Sequence, residues 1–326
     1  LSRRDESYPL YELMQAMVCF GVMFLPAVCL GTTLPLASRI ATVELARTGR
    51  SVGRVFAVNT LGTVLGAVLT GLVFLPYLGL AHTFVLGITL NALIGVALLA
   101  ETGRRDWRPW TAAALVVVTG FWGASILGPR WQKAFVLGLW RSKQVPATLA
   151  EYRAQVERVN LKYHRDGAGS TVAVMSSMTP DGREALILRV NGKTDATSVG
   201  DLATQVLLAH MPLLMKPDST DVLIVGLGSG VTVGSALRHP QIQHADVVEI
   251  SPEVITAARQ FFSPVNDRAL DDPRTRLTLE DAKSFLNTTE RKYDVVITEP
   301  SNPWMAGVAA VFSHEFYLDI RDRLKP

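Results

Sequence analysis

The sequence predicts an α-helical transmembrane bundle followed by an α/β part, in which a small β-hairpin domain precedes a doubly wound parallel sheet that is C-terminally incomplete. Three observations predict it. The first 130 residues hold four long apolar stretches. Residues 221–230 read as a strand, a glycine turn and the start of a helix, and three later apolar runs each finish on an acid, at Glu249, Asp281 and Glu299.

The apolar stretches are residues 13–37, 55–77, 83–100 and 111–127, each near or above the length that crosses a bilayer core. Four such stretches in succession read as four transmembrane helices in a domain 1–130, making this an integral, multipass membrane protein with the lipid bilayer as a partner. Arg39, Arg47, Arg50 and Arg54 separate the first two, residues 78–82 the next pair, and Arg104, Arg105 and Arg108 the last. The first stretch is too long, and its basic flank too poor, for a cleaved signal peptide. Gly62 and Gly66 have small-xxx-small spacing, with Gly71 further along. They suit either close helix packing, including a homo-oligomer through these helices, or the general glycine enrichment of membrane helices. Asn59 and Asn91 read as interhelical hydrogen bonders, and the lack of mid-span Asp, Glu, Lys or Arg counts against a coupled transporter.

A net charge of +3 over 326 residues gives no basis for a nucleic-acid partner. Cys19 and Cys29 both fall in the first apolar stretch, and the six histidines are scattered, so neither a disulfide scaffold nor a metal site is expected. No Gly-x-Ser-x-Gly nucleophile elbow is present.

Residues 131–165 read as interfacial and linker helices: 131–144 as an interfacial or ordinary linker helix, 147–162 as a polar connector. A small β domain with its connecting helix follows over 166–215. Its strand-like runs 170–175 and 185–190 flank Thr179-Pro180-Asp181-Gly182 as an antiparallel hairpin. Asn191-Gly192-Lys193 marks another turn, and residues 201–215 read as a helix.

Residues 216–326 carry the candidate site. Val222-Leu223-Ile224-Val225 is continuous and β-branched, as expected of a parallel strand buried on both faces, and Gly226-Leu227-Gly228-Ser229-Gly230 breaks it. Glycines in such a turn allow positive φ and close approach of a ligand to the backbone. The next run ends at Glu249, nineteen residues past Gly230, about where doubly wound folds grip the hydroxyls of a ribose. The runs 275–279 and 293–298 reach Asp281-Ala282 and Glu299-Pro300-Ser301-Asn302-Pro303-Trp304. All these acids lie at carboxyl ends of predicted strands, where ligands bind in open α/β sheets. The chain opens without methionine and stops at Lys325-Pro326 after an apparent helix, so it reads as a piece of a longer protein.

Taken in order, these residues resemble the aminopropyltransferase (spermidine synthase) family, and especially its multipass membrane-fused branch. The resemblance rests on Asn191-Gly192-Lys193, His210-Met211-Pro212-Leu213, the glycine loop, Val248-Glu249-Ile250-Ser251-Pro252, Asp281-Ala282, and Tyr293-Asp294 leading to the acid-Pro-Ser-x-Pro loop. Phe312, Phe316 and Tyr317 continue it. Gly31-Thr32-Thr33-Leu34-Pro35, Val52-Gly53-Arg54 and Asn59-Thr60-Leu61-Gly62 carry it into the N-terminal part.

The resemblance implies a methyltransferase-like, Rossmann-like fold for 216–326 and a transferase of polyamine biosynthesis that moves an aminopropyl group from decarboxylated S-adenosylmethionine to a small amine. It implies cofactor-binding roles for Gly226, Gly228, Ser229, Gly230, Glu249, Asp281 and Ala282, with Glu249 on the ribose and Asp281 at the adenine amino group. Glu299, Asn302 and Asp195 become the catalytic candidates, Glu299 as proton acceptor, although Glu299 could instead cap the next helix. Thr204, Gln205 and Trp304 are expected at the substrate. The four spans nearly balance the basic residues on the two sides, Arg3, Arg4, Arg130, Lys133, Arg141 and Lys143 lying with the C-terminal domain, so the cytosolic donor places that domain in the cytoplasm.

Ser229 stands where the family usually has aspartate, Asn302 replaces a second aspartate, and Thr204 replaces a diamine-contacting tyrosine. Two other readings therefore stay open: a methyltransferase using intact S-adenosylmethionine, and a non-catalytic membrane sensor or transporter subunit.

Overall fold

The computed structural model describes residues 8–101, 107–139, 146–300 and 308–326. The chain divides into two compact units, the first ending at Thr70 and the second running from Gly71. In the first, α1 (Tyr8–Ala41) is linked through the 3-10 turn Leu45–Arg47 to α2 (Thr48–Leu69), and neither helix buries a residue. A Cβ at Gly62 or Gly66 would meet nothing within 4 Å, so within the described chain these glycines bring no backbone close.

The second unit opens in the π turn Thr70–Phe74 and continues into α3 (Leu75–Glu101), which is broken at Gly79 (φ 73°, ψ 171°). Only glycine accepts that conformation without strain. The break falls within residues 78–82, the segment expected between the second and third spans. By length and composition two helical stretches are long and apolar enough to cross a bilayer, Tyr8–Ala41 and Thr48–Leu98, where four were expected; a shorter apolar stretch covers Trp110–Gly123. The second and third expected spans together make up Thr48–Leu98, with the Gly79 break between them, and the fourth corresponds to the shorter Trp110–Gly123.

α4 (Arg108–Leu137) continues through the start of the region expected as separate interfacial and linker helices, and stops at Gly138 in the left-handed conformation. Residues 140–144 of that expected helix, and Arg3, Arg4, Arg104, Arg105, Arg141 and Lys143 of the charge comparison, lie outside the described residues. After α5 (Leu149–Arg158), capped by Thr148, comes a four-stranded antiparallel sheet in the order β1 (Asn160–Asp166), β2 (Thr171–Met178), β3 (Glu184–Val190), β4 (Lys193–Thr197). The expected hairpin is its central pair. The sheet thus begins before residue 166, inside the stretch expected as linker, and extends one strand further on each side than predicted.

The larger sheet is built from β5 (Asp221–Val225), β6 (His244–Glu249), β7 (Thr275–Leu279) and β8 (Val295–Thr298), parallel throughout and ordered β7-β6-β5-β8. The period-two alternation of β5 divides the core. Val222 and Ile224 pack on the face covered by α6 (Leu202–Met215), α7 (Val231–Leu237) and α8 (Pro252–Phe261). Leu223 and Val225 pack with Phe285 of α9 (Ala282–Thr288) and Phe316 of α10 (His314–Asp322) on the other. Burying Phe262 and Phe316 contributes about 2–3 kcal/mol each. The first core runs on into the small sheet through Val172, Val174 and Leu188, while the opposite face of that sheet packs Ala173 and Met175 on Val136 of α4. Strand order turns back between β5 and β8, which places the cleft for a ligand at their carboxyl ends.

Asp294, just before β8, fastens the other edge. Its Oδ2 accepts from the N–H groups of Thr220 (2.8 Å) and Asp221 (2.9 Å) and from Lys325 Nζ (2.8 Å). Burial pushes this carboxyl up, but Lys325 and the two N–H groups outweigh it and hold it at about 2, against an ordinary 3.8. A depressed folded value gives stability that is present above the unfolded value and lost as pH falls through the folded one. Asp294→Asn is therefore expected to cost about 2 kcal/mol at pH 7 in thermal unfolding followed by near-ultraviolet circular dichroism, a loss that shrinks between pH 4 and pH 2. An equal loss at pH 2 and pH 7 would refute the charge-based account.

Candidate functional site

The register of the parallel sheet aligns the candidate acids. Val225 lies opposite Val248 on one side and Thr298 on the other, so Glu249 and Glu299 flank Gly226 at the level where the chain leaves β5. Leu279 lies opposite Glu249, and Asp281 follows two residues later. Neighbouring strands sit about 4.8 Å apart, so the edge presents Asp281, Glu249, the glycine turn and Glu299 in that order over about 14 Å.

The turn itself is fixed by close contacts. Gly226, Gly228 and Gly230 have φ of 89°, 54° and 81°. At Gly230 a Cβ would come within 2.9 Å of Asn266 Nδ2, which donates to Ser229 O at 2.8 Å, so the turn needs both the positive φ and the missing side chain. Asn266 is 2 % exposed. Sequence reasoning passed over it because the contact joins residues 37 positions apart, with no local signal.

Glu249 is buried, and both carboxylate oxygens take backbone donors: Leu227 N–H to Oε2 at 2.9 Å and Ser251 N–H to Oε1 at 2.8 Å. Each oxygen has further lone-pair capacity for a ligand hydroxyl. Burial raises this carboxyl above its ordinary range against the pull of those N–H groups and that of Ile250, and the charge of Asp195 adds to the rise. Asp281 caps α9, accepting from Ser284 N–H at 3.0 Å through Oδ1, with Ala282 the first helical residue.

Two expected ligand contacts turn inward. Ser229, 1 % exposed, donates its hydroxyl hydrogen to Gln205 Oε1 and accepts from Val231 N–H. Gln205 is also buried, and its Nε2 donates to Thr197 O (3.0 Å) and Asp201 Oδ1 (2.9 Å). The Gln205 amide, expected at the substrate, is thus engaged at both ends by the fold; it ties α6 to the glycine turn and to β4. The hydroxyl of Ser229, expected at the cofactor, serves the same tie. Thr204, one position away on α6, is exposed.

Asp195 and Glu299 belong to the other side of the cleft. β4 lies over the turn, where a Cβ on Gly228 would touch Ala196. Asp195 Oδ1 is 2.5 Å from Lys193 Nζ. Glu299 is exposed at the cleft rim; partial desolvation raises its carboxyl, Asp201 and Asp195 add to the rise and Lys193 opposes it. The cap of α10 is Ser313, which accepts from Phe316 N–H. Asn302 and Trp304 lie outside the described residues. A separate cavity of about 580 Å³ between α6 and α7, lined by Leu202, Val206, His210, Val231, Arg238 and Asp267 among others, contains none of the strand-end acids.

A parallel-sheet α/β domain with an acidic cleft along its carboxyl edge, preceded by a small antiparallel sheet, is the class of protein these features define. Residues 202–326 match the spermine/spermidine synthase domain, and the chain is similar to members of the spermidine synthase family. Polyamine aminopropyltransferase 1 of Streptomyces coelicolor is 28% identical over 320 residues, covering 96% of this chain and 56% of that protein. Polyamine aminopropyltransferase 2 of the same organism is 30% identical over 309 residues, covering 92% and 52%. The chain spans about half the length of these curated relatives. A crystal structure of spermidine synthase in complex with the transition-state analogue AdoDATO aligns with a TM-score of 0.47 at 26% identity, covering 51% of this chain and 55% of that one.

Proposed function

We propose that this chain is the membrane-anchored part of a transferase that moves an aminopropyl group from decarboxylated S-adenosylmethionine to an amine. The spatial order of the strand ends carries the reading. Asp281 suits the adenine amino group, Glu249 the ribose hydroxyls, the glycine turn the sulfonium chain, and Glu299 the incoming amine, in the order in which those groups occur along the reacting pair. The amine lone pair attacks the carbon next to the sulfonium; the C–S bond breaks with its electrons passing to sulfur, and methylthioadenosine leaves as a neutral thioether. Glu299 accepts the proton the amine gives up. A carboxylate-rich cleft favours the cationic donor without its carboxylate over intact S-adenosylmethionine, which weighs against methyl transfer. The test is turnover by the full-length protein on decarboxylated donor and an unbiased amine mixture, with product masses measured. Methylthioadenosine with an aminopropylated amine is expected; a methylated product, or tighter binding of the carboxylated donor, would sink the reading.

Four membrane crossings fit the N-terminal part best. The 51 residues of Thr48–Leu98 are more than twice the roughly 20 that one crossing takes, and the Gly79 break divides them. Leu80 N–H donates to Asp166 Oδ2 at 2.8 Å, so the break touches the small sheet, as four crossings require of a turn on the same face as that sheet. The alignments with the two Streptomyces relatives also run through this region. A fluorescent or phosphatase reporter fused after Pro326 is expected to fluoresce and to lack phosphatase activity; the reverse would overturn the cytoplasmic placement.

A further inference from the structure

The acceptor side of the cleft contains a cation supplied by the protein itself. Lys193 and Asp195 are two residues apart on β4, with Asp195 at the bulge opposite Leu188 and Arg189, and the ion pair between them is largely shielded, the side chains being 13% and 20% exposed. The turn before Lys193 is held from outside the cleft. The Arg189 guanidinium donates to Val136 O at the end of α4 and to Gly192 O at 3.5 Å, and a Cβ on Gly138 would come within 2.0 Å of Gly192 O. The start of β4 is therefore packed against the end of α4, which fixes the root of the Lys193 side chain.

The carboxylates around Glu299 are unequally available. Asp201 Oδ1 accepts from the N–H and hydroxyl of Thr197 and from Gln205 Nε2. Asp195 is paired with Lys193. Among the described residues no hydrogen bond or ion pair engages the Glu299 carboxylate. A diamine acceptor brings two basic nitrogens, one to react and one to be held as an ammonium, and that second ammonium would meet the charge of Lys193 where it needs the charge of Asp195.

We propose that Lys193 is a tethered ammonium filling the second cation position of the acceptor subsite, so that the protein selects amines with one basic nitrogen over terminal diamines. The inference rests on the aminopropyl-transfer reading. It is tested on the full-length protein with decarboxylated S-adenosylmethionine, using n-butylamine and 1,4-diaminobutane as probes and comparing kcat/KM for the two. The wild-type protein is expected to favour butylamine by about tenfold, the scale of one charge-assisted hydrogen bond. Lys193→Met is expected to move the ratio about tenfold towards the diamine, while Lys193→Arg keeps the wild-type preference. A wild-type preference for the diamine, or a ratio that Lys193→Met leaves unchanged, overturns the inference and leaves the transfer reading standing, because methylthioadenosine is still released. Absence of methylthioadenosine with both amines overturns the transfer reading and the inference with it. If the Met variant loses its fold, the wild-type ratio alone decides.

Discussion

Glu249→Gln is expected to raise the Kd for methylthioadenosine or the sulfonium donor about a hundredfold or more, while the protein stays folded. Two charge-assisted hydrogen bonds from ribose hydroxyls are worth about 1.5–3 kcal/mol each, and a neutral amide keeps at most a weaker one. The effect on stability is smaller because two contributions oppose each other. Glutamine is easier to bury than a carboxylate, and burial already raises the Glu249 carboxyl. Against that, the amide nitrogen cannot accept, so it leaves either Leu227 N–H or Ser251 N–H without its partner, at about 1–3 kcal/mol. Binding is therefore the readout that separates a ligand-gripping acid from a loop brace. Titration calorimetry on the full-length protein checks it: a Kd within threefold of wild type, together with a lowered melting temperature, would make Glu249 a brace only.

The large parallel sheet was legible because β5 and β8 are short, strongly apolar runs closed by a turn residue or an acid, and β6 and β7, more mixed in composition, also lead into acids, so the chemistry falls at the punctuation. The same logic missed the edge strands of the small sheet. Lys193-Thr194-Asp195-Ala196-Thr197 has one apolar residue in five and reads as loop; it is a strand because β3 supplies its ladder and Ala196 has the glycine turn to pack on. Residues 160–166 failed for a related reason, since a polar strand at a sheet edge shows no apolar alternation. The family resemblance implies ligand contacts for Gln205 and Ser229, and only the fold reveals that they face each other. Asp294 stood out as part of a motif, but its work as a clamp across the start of β5 depends on Lys325, far along the chain. Local periodicity reports burial; it does not report which polar groups have found one another.

Glu299→Gln is expected to lower kcat by about a hundredfold to ten-thousandfold with donor affinity unchanged, the range associated with a positioned general base. The pH dependence gives the sharper test. A base must be ionised to act, and partial desolvation, Asp201 and Asp195 together raise the Glu299 carboxyl, so the acid limb of kcat/KM is expected above the ordinary glutamate range. Lys193 opposes that rise, so Lys193→Met is expected to move the limb to still higher pH. The sign for stability runs the other way from that of a salt-bridged acid. A folded-state value above the unfolded one means that the native protein holds this proton more tightly than the unfolded chain does, so the contribution is present at low pH and lost as pH rises through the raised value. Ionising Glu299 thus adds nothing to the stability of the fold, and Glu299→Gln is expected to melt no lower than wild type while losing turnover. A cap or structural brace would give the opposite pair of results, a lower melting temperature with turnover largely kept, and that pair would remove Glu299 from the chemistry.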